Sequence, residues 1–148
     1  MKEAQILEIV DIFTDLTTQQ LEQIYQICIQ KVVKKDEIIV KENTPSTEIY
    51  IILEGEVEIL IGTDKLKHAK KEKIGLLDRG QSFGEVALVD QGLRSATVRC
   101  YSDTCRLLEI SRDAFLLFLK QNPAIGFIVM YNLAADLCLK FREASYRY

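Results

Sequence analysis

LDRGQSFGEVALVDQGLRSATVRC, residues 77–100, is the most informative stretch of the chain. It leaves an apolar, strand-like run at Leu77, passes Gly80 and meets Phe83-Gly84-Glu85. Arg94-Ser95-Ala96-Thr97 then leads into the next apolar run. Between the two lies Val86-Ala87-Leu88-Val89, long enough for one turn of helix. Gly84 has no side chain to obstruct a ligand that approaches the backbone. The N–H groups that open a helical turn lack intrahelical acceptors and form a small anion site. Arg94 adds a planar, permanently charged fork that matches phosphate oxygens. Glu85 repels a phosphate but accepts a hydrogen bond from a sugar hydroxyl. One carboxylate and one guanidinium around exposed amides suit a ribose joined to a phosphate. Taken singly, each residue has a plainer reading: Glu85 and Arg94 as a surface ion pair of little energy, and Gly84 as a turn.

Outward from this stretch, residues 34–110 read as strands. Glu37–Val40, Ile49–Leu53, Val57–Ile61, Ile74–Leu77, Ala96–Cys100 and Cys105–Ile110 are short and rich in Ile, Val and Leu. Val57-Glu58-Ile59 alternates as a half-buried strand does, and Glu54-Gly55-Glu56 reads as a tight turn. Short strands at near-regular spacing predict an antiparallel barrel or jelly roll. Residues 1–33 read as helices. Ile6, Ile9, Val10 and Phe13 recur at helical spacing, and Thr17 with Gln20 forms a capping box ahead of Leu21, Ile24, Tyr25 and Cys28. Residues 111–148 return to helix. Ser111 caps a helix carrying Phe115, Leu116 and Leu119, and Asn122-Pro123 starts another. In that last helix Asn132, Asp136, Lys140 and Glu143 form one polar stripe on an otherwise apolar surface. An apolar arc so wide predicts contact with more than one neighbour.

The whole chain narrows the function. Its 148 residues suit a single domain, 48% of them are hydrophobic, and the formal net charge is −3, without the basic surplus of a nucleic-acid binder. The N-terminus does not read as a signal peptide. The run from Ala124 to Leu139 is broken by Asn132 and Asp136, and reads as a buried helix rather than a membrane span. Cys28, Cys100, Cys105 and Cys138 form no CxxC pair and read as reduced core thiols in a reducing compartment. The lysine-rich segment 63–73 reads as a solvated loop, with no interleaved aromatic residues. His68 is the only histidine, too few for a metal-dependent jelly-roll enzyme, and no nucleophile is paired with a base.

Together the motif residues resemble the phosphate-binding cassette of the cyclic-nucleotide-binding domain. That domain is shared by bacterial catabolite activator proteins, protein kinase A and G regulatory regions, and cyclic-nucleotide-gated channels. Its pattern, FGE-x-AL, a turn, then R-[SAT]-A-[TS]-V, stands here as Phe83-Gly84-Glu85-Val86-Ala87-Leu88 and Arg94-Ser95-Ala96-Thr97-Val98. The resemblance extends to the Ile12-Phe13 opening, the Ile49–Val57 hairpin and the closing helices. It implies a mainly β fold with flanking α: an antiparallel β-roll, or double-stranded β-helix, with N-terminal helices and C-terminal lid or dimer helices. It implies that Glu85 holds the ribose 2′-hydroxyl and that Arg94 holds the cyclic phosphate with amides near Ala87 and Ser95. The expected ligand site is Phe83, Gly84, Glu85, Val86, Ala87, Arg94, Ser95 and Ala96, under a lid of Phe127, Ile128 and Tyr131. Asp36 and Asn43 stand where family members often have Gly, and both residue types tolerate left-handed backbone.

The expectation is therefore a cytoplasmic, non-catalytic regulatory module that binds cAMP in preference to cGMP, without cofactor or metal. Its expected partners are a protein effector and a second copy paired through the C-terminal helix. Nucleic acid, a membrane span and an appended DNA-binding segment are not expected. The alternative is an interaction domain of the same fold whose pocket is empty or filled by its own aromatic C-terminus: Phe141, Tyr146 and Tyr148.

Overall fold

The computed structural model of the chain describes residues 3–62, 71–90 and 92–145. The N-terminal segment winds into two 3₁₀ helices, Glu3–Ile9 and Asp11–Phe13, and not the single α-helix that its spacing predicts. Ile6, Leu7, Val10, Ile12 and Phe13 are all buried. One α-helical stripe cannot bury so many neighbours, and the extended backbone at Val10 re-aims the second half. α1 (Thr18–Tyr25) opens on the expected capping box. The Gln20 amide N–H donates to Thr17 Oγ1 at 3.2 Å, and Thr17 N–H donates to Gln20 Oε1 at 2.9 Å. Such caps contribute about 1 kcal/mol.

Eight strands follow: β1 (Ile29–Lys34), β2 (Ile38–Val40), β3 (Glu48–Glu54), β4 (Val57–Gly62), β5 (Lys71–Leu77), β6 (Ser82–Phe83), β7 (Thr97–Cys100) and β8 (Thr104–Ser111). They form two antiparallel four-stranded sheets, ordered β1-β8-β3-β6 and β2-β7-β4-β5. β1 corrects the reading of 1–33 as helical. Only its Val33 is buried, so no alternating pattern marks it, and its conformation comes from pairing with β8, Ile29↔Glu109 to Lys34↔Thr104. The left-handed turns expected at Asp36 and Asn43 are present, with φ of 69° and 67°. Of the lysine-rich segment, Lys65, Lys67, His68 and Lys70 lie outside the described residues. Lys73 sits in β5, 3.8 Å from Glu58 and 4.2 Å over the Tyr101 ring.

Alternation along β3 divides the core in two. Ile49, Ile51 and Leu53 face the helices, whereas Tyr50 and Ile52 face the interior of the roll. Leu108 and Ile110 of β8 join the first group, and Cys105 and Leu107 the second. The β1-β8-β3-β6 sheet thus has the helical layer on one face and the second sheet on the other. Phe115 of α2 (Arg112–Gln121) meets Phe13 edge-on, with centroids 6.2 Å apart, and truncating so buried an aromatic costs roughly 3–5 kcal/mol.

α3 (Pro123–Ser145) departs most from expectation. Ile125, Val129 and Leu133 are buried, but Phe127 and Tyr131 are 69% and 64% exposed. The helix is therefore not a core helix. A window within Pro123–Ala144 is long and apolar enough to cross a membrane, with mean hydropathy 1.5, and 22% of it is buried. Asn122 serves both helices: its side-chain amide donates to the Phe118 carbonyl at 2.9 Å, and its own carbonyl accepts the first bond of α3 from Gly126 N–H at 2.9 Å. Nor do all four cysteines sit in the core: Cys100 and Cys105 are buried, Cys28 is half-buried and Cys138 is exposed.

Candidate functional site

Gly84 has φ of 85° and stands immediately before the 3₁₀ helix Glu85–Leu88. A Cβ there would lie 2.6 Å from Arg94 Nη1 and 2.9 Å from the Glu48 carbonyl oxygen. Glycine is thus required twice, by the backbone conformation and by the space that Arg94 occupies. The close approach expected of a ligand is made by the protein's own arginine.

Arg94 is 7% exposed. Its Nη2 donates to the Glu48 carbonyl at 2.7 Å. Its backbone N–H donates to the Thr44 carbonyl at 2.8 Å, and its own carbonyl accepts from Asn43 N–H at 2.9 Å. The left-handed Asn43 turn therefore clamps the end of the cassette. Desolvation lowers the guanidinium pKa from its ordinary value, against the charges of Glu48 and Tyr50. A cation stripped of water, with donors to spare, favours an incoming anion. Glu85 makes no ion pair with Arg94 among the described residues, which removes the plainer reading of this pair. Its Oε2 is buried and has no hydrogen-bond partner among the described residues. A buried acceptor left unsatisfied costs about 1–3 kcal/mol, which a hydroxyl donor would recover.

Phe83, Gly84, Glu85, Arg94, Ser95 and Ala96 line one cavity of about 330 Å³, walled on the sheet side by Val40, Ile59 and Val98. The volume lies at the lower end of the range for small-molecule sites. The Tyr50 and Phe83 rings stack behind it at 5.1 Å. Two residues of the expected set lie elsewhere. Val86 points to solvent, and Ala87 is buried. The Ala87 N–H donates to the Gly84 carbonyl at 3.0 Å, so it is spent inside the 3₁₀ turn. Its carbonyl accepts from Arg112 Nε at 2.6 Å, which ties α2 to the cassette.

The residues expected as a lid stand away from the cavity. Phe127, Ile128 and Tyr131 do not line the cavity. The inner face of α3 is set by Ile125, Val129 and Leu133, and residues two positions further on point roughly 200° away. The same inner face, continued, carries Asp136 and Lys140, and Lys140 reaches the cavity wall. Lys140 Nζ lies 3.0 Å from Asp136. Desolvation works against its charge, but Asp136, Glu85 and Asp11 outweigh it and hold the pKa above the usual lysine value. A second cavity of about 400 Å³ continues behind Glu85 and Lys140 toward Asp11, Gln81 and Asp136. The signal for these residues was the polar stripe of α3. Asn132, on that stripe, donates to the Ile12 and Thr14 carbonyls at 3.1 and 2.8 Å. A polar stripe on an apolar helix here marks the face turned toward the protein.

A family model described as the cyclic nucleotide-binding domain matches residues 30–122. The chain is 32% identical over 100 residues to the cyclic AMP receptor protein of Thermus thermophilus, covering 66% of this chain and 41% of that one. It is 33% identical over 94 residues to a cGMP-dependent protein kinase of Toxoplasma gondii, covering 64% of this chain and 9% of that one. The chain thus spans less than half the length of either relative. Among solved structures, the catabolite activator protein of Thermus thermophilus superposes with a TM-score of 0.80 at 24% identity, over 93% of this chain and 61% of that one. With the β-roll, the cassette and this match over more than half its length, the chain belongs to the cyclic nucleotide-binding domain family.

Proposed function

We propose that this domain is a receptor for a cyclic nucleotide, cAMP ahead of cGMP, and that occupancy reaches a protein effector through α3. The observation that carries the reading is the pairing, in one cavity, of a buried guanidinium and an orphaned buried carboxylate oxygen. Arg94 holds the cyclic phosphate and Glu85 accepts from the ribose 2′-hydroxyl. The purine lies against Val40, Ile59 and Val98, with Ser95 and Lys140 at its rim. Ser95 offers a hydroxyl to either the phosphate or a guanine amino group, so discrimination between the purines is modest. Similarity to both a cyclic AMP receptor protein and a cGMP-dependent kinase agrees with that. The domain's role is regulatory; any chemistry belongs to the partner it controls.

α3 supplies the output. Phe127, Tyr131, Cys138 and Phe141 are exposed on it, at steps that fit the four-and-three spacing of a two-helix seam. A second copy pairing along this stripe covers it and joins two pockets through their Lys140-bearing helices. The self-filled pocket finds no support at Phe141, which is 73% exposed; Tyr146 and Tyr148 lie outside the described residues.

Calorimetric titration of the full chain with cAMP and then cGMP tests the proposal. Saturable binding of one nucleotide per chain is expected, with cAMP tighter by less than about tenfold, ~1.4 kcal/mol. Absence of binding by both nucleotides contradicts the receptor role, and a larger preference for cGMP reverses the choice of base.

A further inference from the structure

β7 and β8 belong to different sheets and are joined by Tyr101-Ser102-Asp103, with Thr104 opening β8. Cys100 and Cys105, on either side of this connection, are both fully buried inside the roll, and their Sγ atoms lie 3.0 Å apart. Cys105 Sγ is 3.1 Å from the Glu56 carbonyl oxygen, and Cys100 Sγ is 3.3 Å from that of Ser102. The neighbouring hairpin makes room for the pair. A Cβ on Gly55 would stand 2.9 Å from Cys105 Sγ and 2.6 Å from the Thr104 carbonyl oxygen. The ligand cavity uses neither sulfur.

We propose that Cys100 and Cys105 are a dithiol that oxidises to an intrachain disulfide, a modification site separate from the nucleotide pocket. With a peroxide as oxidant, one thiolate attacks the O–O bond. An S–O bond forms, the peroxide bond breaks, and the departing hydroxide leaves as water with the thiol proton. The second sulfur then displaces the sulfenic hydroxyl, closing the S–S bond and releasing a second water. Two thiols and one peroxide become one disulfide and two waters, with two electrons passed from sulfur to oxygen. The sulfurs need to close only from contact to a bond of about 2.05 Å. Any sulfenic acid at one residue meets its resolving thiol before it can diffuse or oxidise further.

Access governs the rate. Burial pushes the Cys100 thiol up to about 12, so little thiolate exists while the roll is closed. Tyr101, Asp103 and Thr104 are exposed, and opening of this short loop is what admits the oxidant. The bond, once formed, joins the two sheets directly behind the strand that leaves Arg94-Ser95-Ala96.

The test uses the unaltered chain. The purified protein is treated with hydrogen peroxide at a dose raised until exposed Cys138 is fully oxidised, then quenched, unfolded and alkylated. Trypsin cuts after Arg99 and Arg106, so both cysteines fall in the single peptide Cys100–Arg106. The expected product is that peptide without alkyl groups and about 2 Da lighter than the dithiol, restored to double alkylation by prior reduction with dithiothreitol. A doubly alkylated Cys100–Arg106 peptide at that dose overturns the proposal, as does a sulfinic acid at either residue or pairing to Cys28 or Cys138.

Discussion

The two walls of the cavity between the cassette and α3 are built on opposite terms. The cassette wall holds its charge dry: Arg94 is buried, bonded to the Glu48 carbonyl and clamped at both backbone ends by the Asn43-Thr44 turn. The α3 wall touches the cavity through Lys140, while Phe127 and Tyr131 on its far side face solvent. A wall held mainly by backbone hydrogen bonds is a rigid receiver. A helix held along one stripe, with a charged side chain at the cavity, can change position. A ligand moves such a helix only by its differential affinity for the two positions, and the proposed output through α3 requires Lys140, in the field of Glu85, to supply that difference.

Each prediction starts from one wall, and the first removes the α3 wall outright. The largest effect is expected from cutting the chain after Asn122. This removes Ile125, Val129 and Leu133, each contributing about 1.5–3 kcal/mol of burial, against a total stability of typically 5–15 kcal/mol for a domain. The urea midpoint should collapse along with binding. A truncated chain that keeps its midpoint would show that α3 is only an appendage. Next comes Arg94→Ala, which leaves the phosphate unpartnered at a cost of about 2–5 kcal/mol, roughly 30-fold to several-thousand-fold in cAMP affinity by calorimetry. Arg94→Lys recovers part of this, because a point charge lacks the fork. Binding by Arg94→Ala within about threefold of the parent removes the phosphate assignment.

Gly84→Ala probes the contact between cassette and arginine. The added Cβ meets Arg94 Nη1 and the Glu48 carbonyl on a left-handed backbone, so a stability loss of about 1–3 kcal/mol is expected, with weaker cAMP binding. Unchanged thermal unfolding and affinity would mean that the arginine is free to move aside. Lys140→Ala should have the smallest effect on affinity, under about fivefold, since an exposed ammonium is screened. It should nevertheless abolish the cAMP-dependent change in amide hydrogen exchange along α3. A change that persists in this variant would send the signal by another route.

The same contrast explains what could be read from sequence. The cassette is short, and its requirements are local: a residue free to adopt positive φ, an arginine, and an acid at a set distance. Phe83, Gly84, Glu85, Arg94, Ser95 and Ala96 therefore come together as expected. The turns at Asp36 and Asn43 were legible for the same reason. Edge strand β1 was not, because its single buried residue, Val33, leaves no period to detect. The facing of α3 was misjudged at Phe127, Ile128 and Tyr131. Apolarity there reads as burial, yet the inner face is the one that buries Ile125, Val129 and Leu133 and sets Asn132 on the Ile12 and Thr14 carbonyls. The polar stripe marked that face, but the partners it meets, like the Gly84–Arg94 packing, appear only in three dimensions.

In the proposed receptor the orphaned oxygen of Glu85 is the acceptor for a ribose hydroxyl. Paired titrations with cAMP and 2′-deoxy-cAMP, in the parent and in Glu85→Ala, test it most directly. A hydrogen bond to a charged group contributes about 1.5–3 kcal/mol, so the parent should prefer cAMP by roughly 10- to 150-fold. In Glu85→Ala the two ligands should bind almost equally. A parent protein that binds both alike, or a preference that survives the loss of Glu85, would contradict the account.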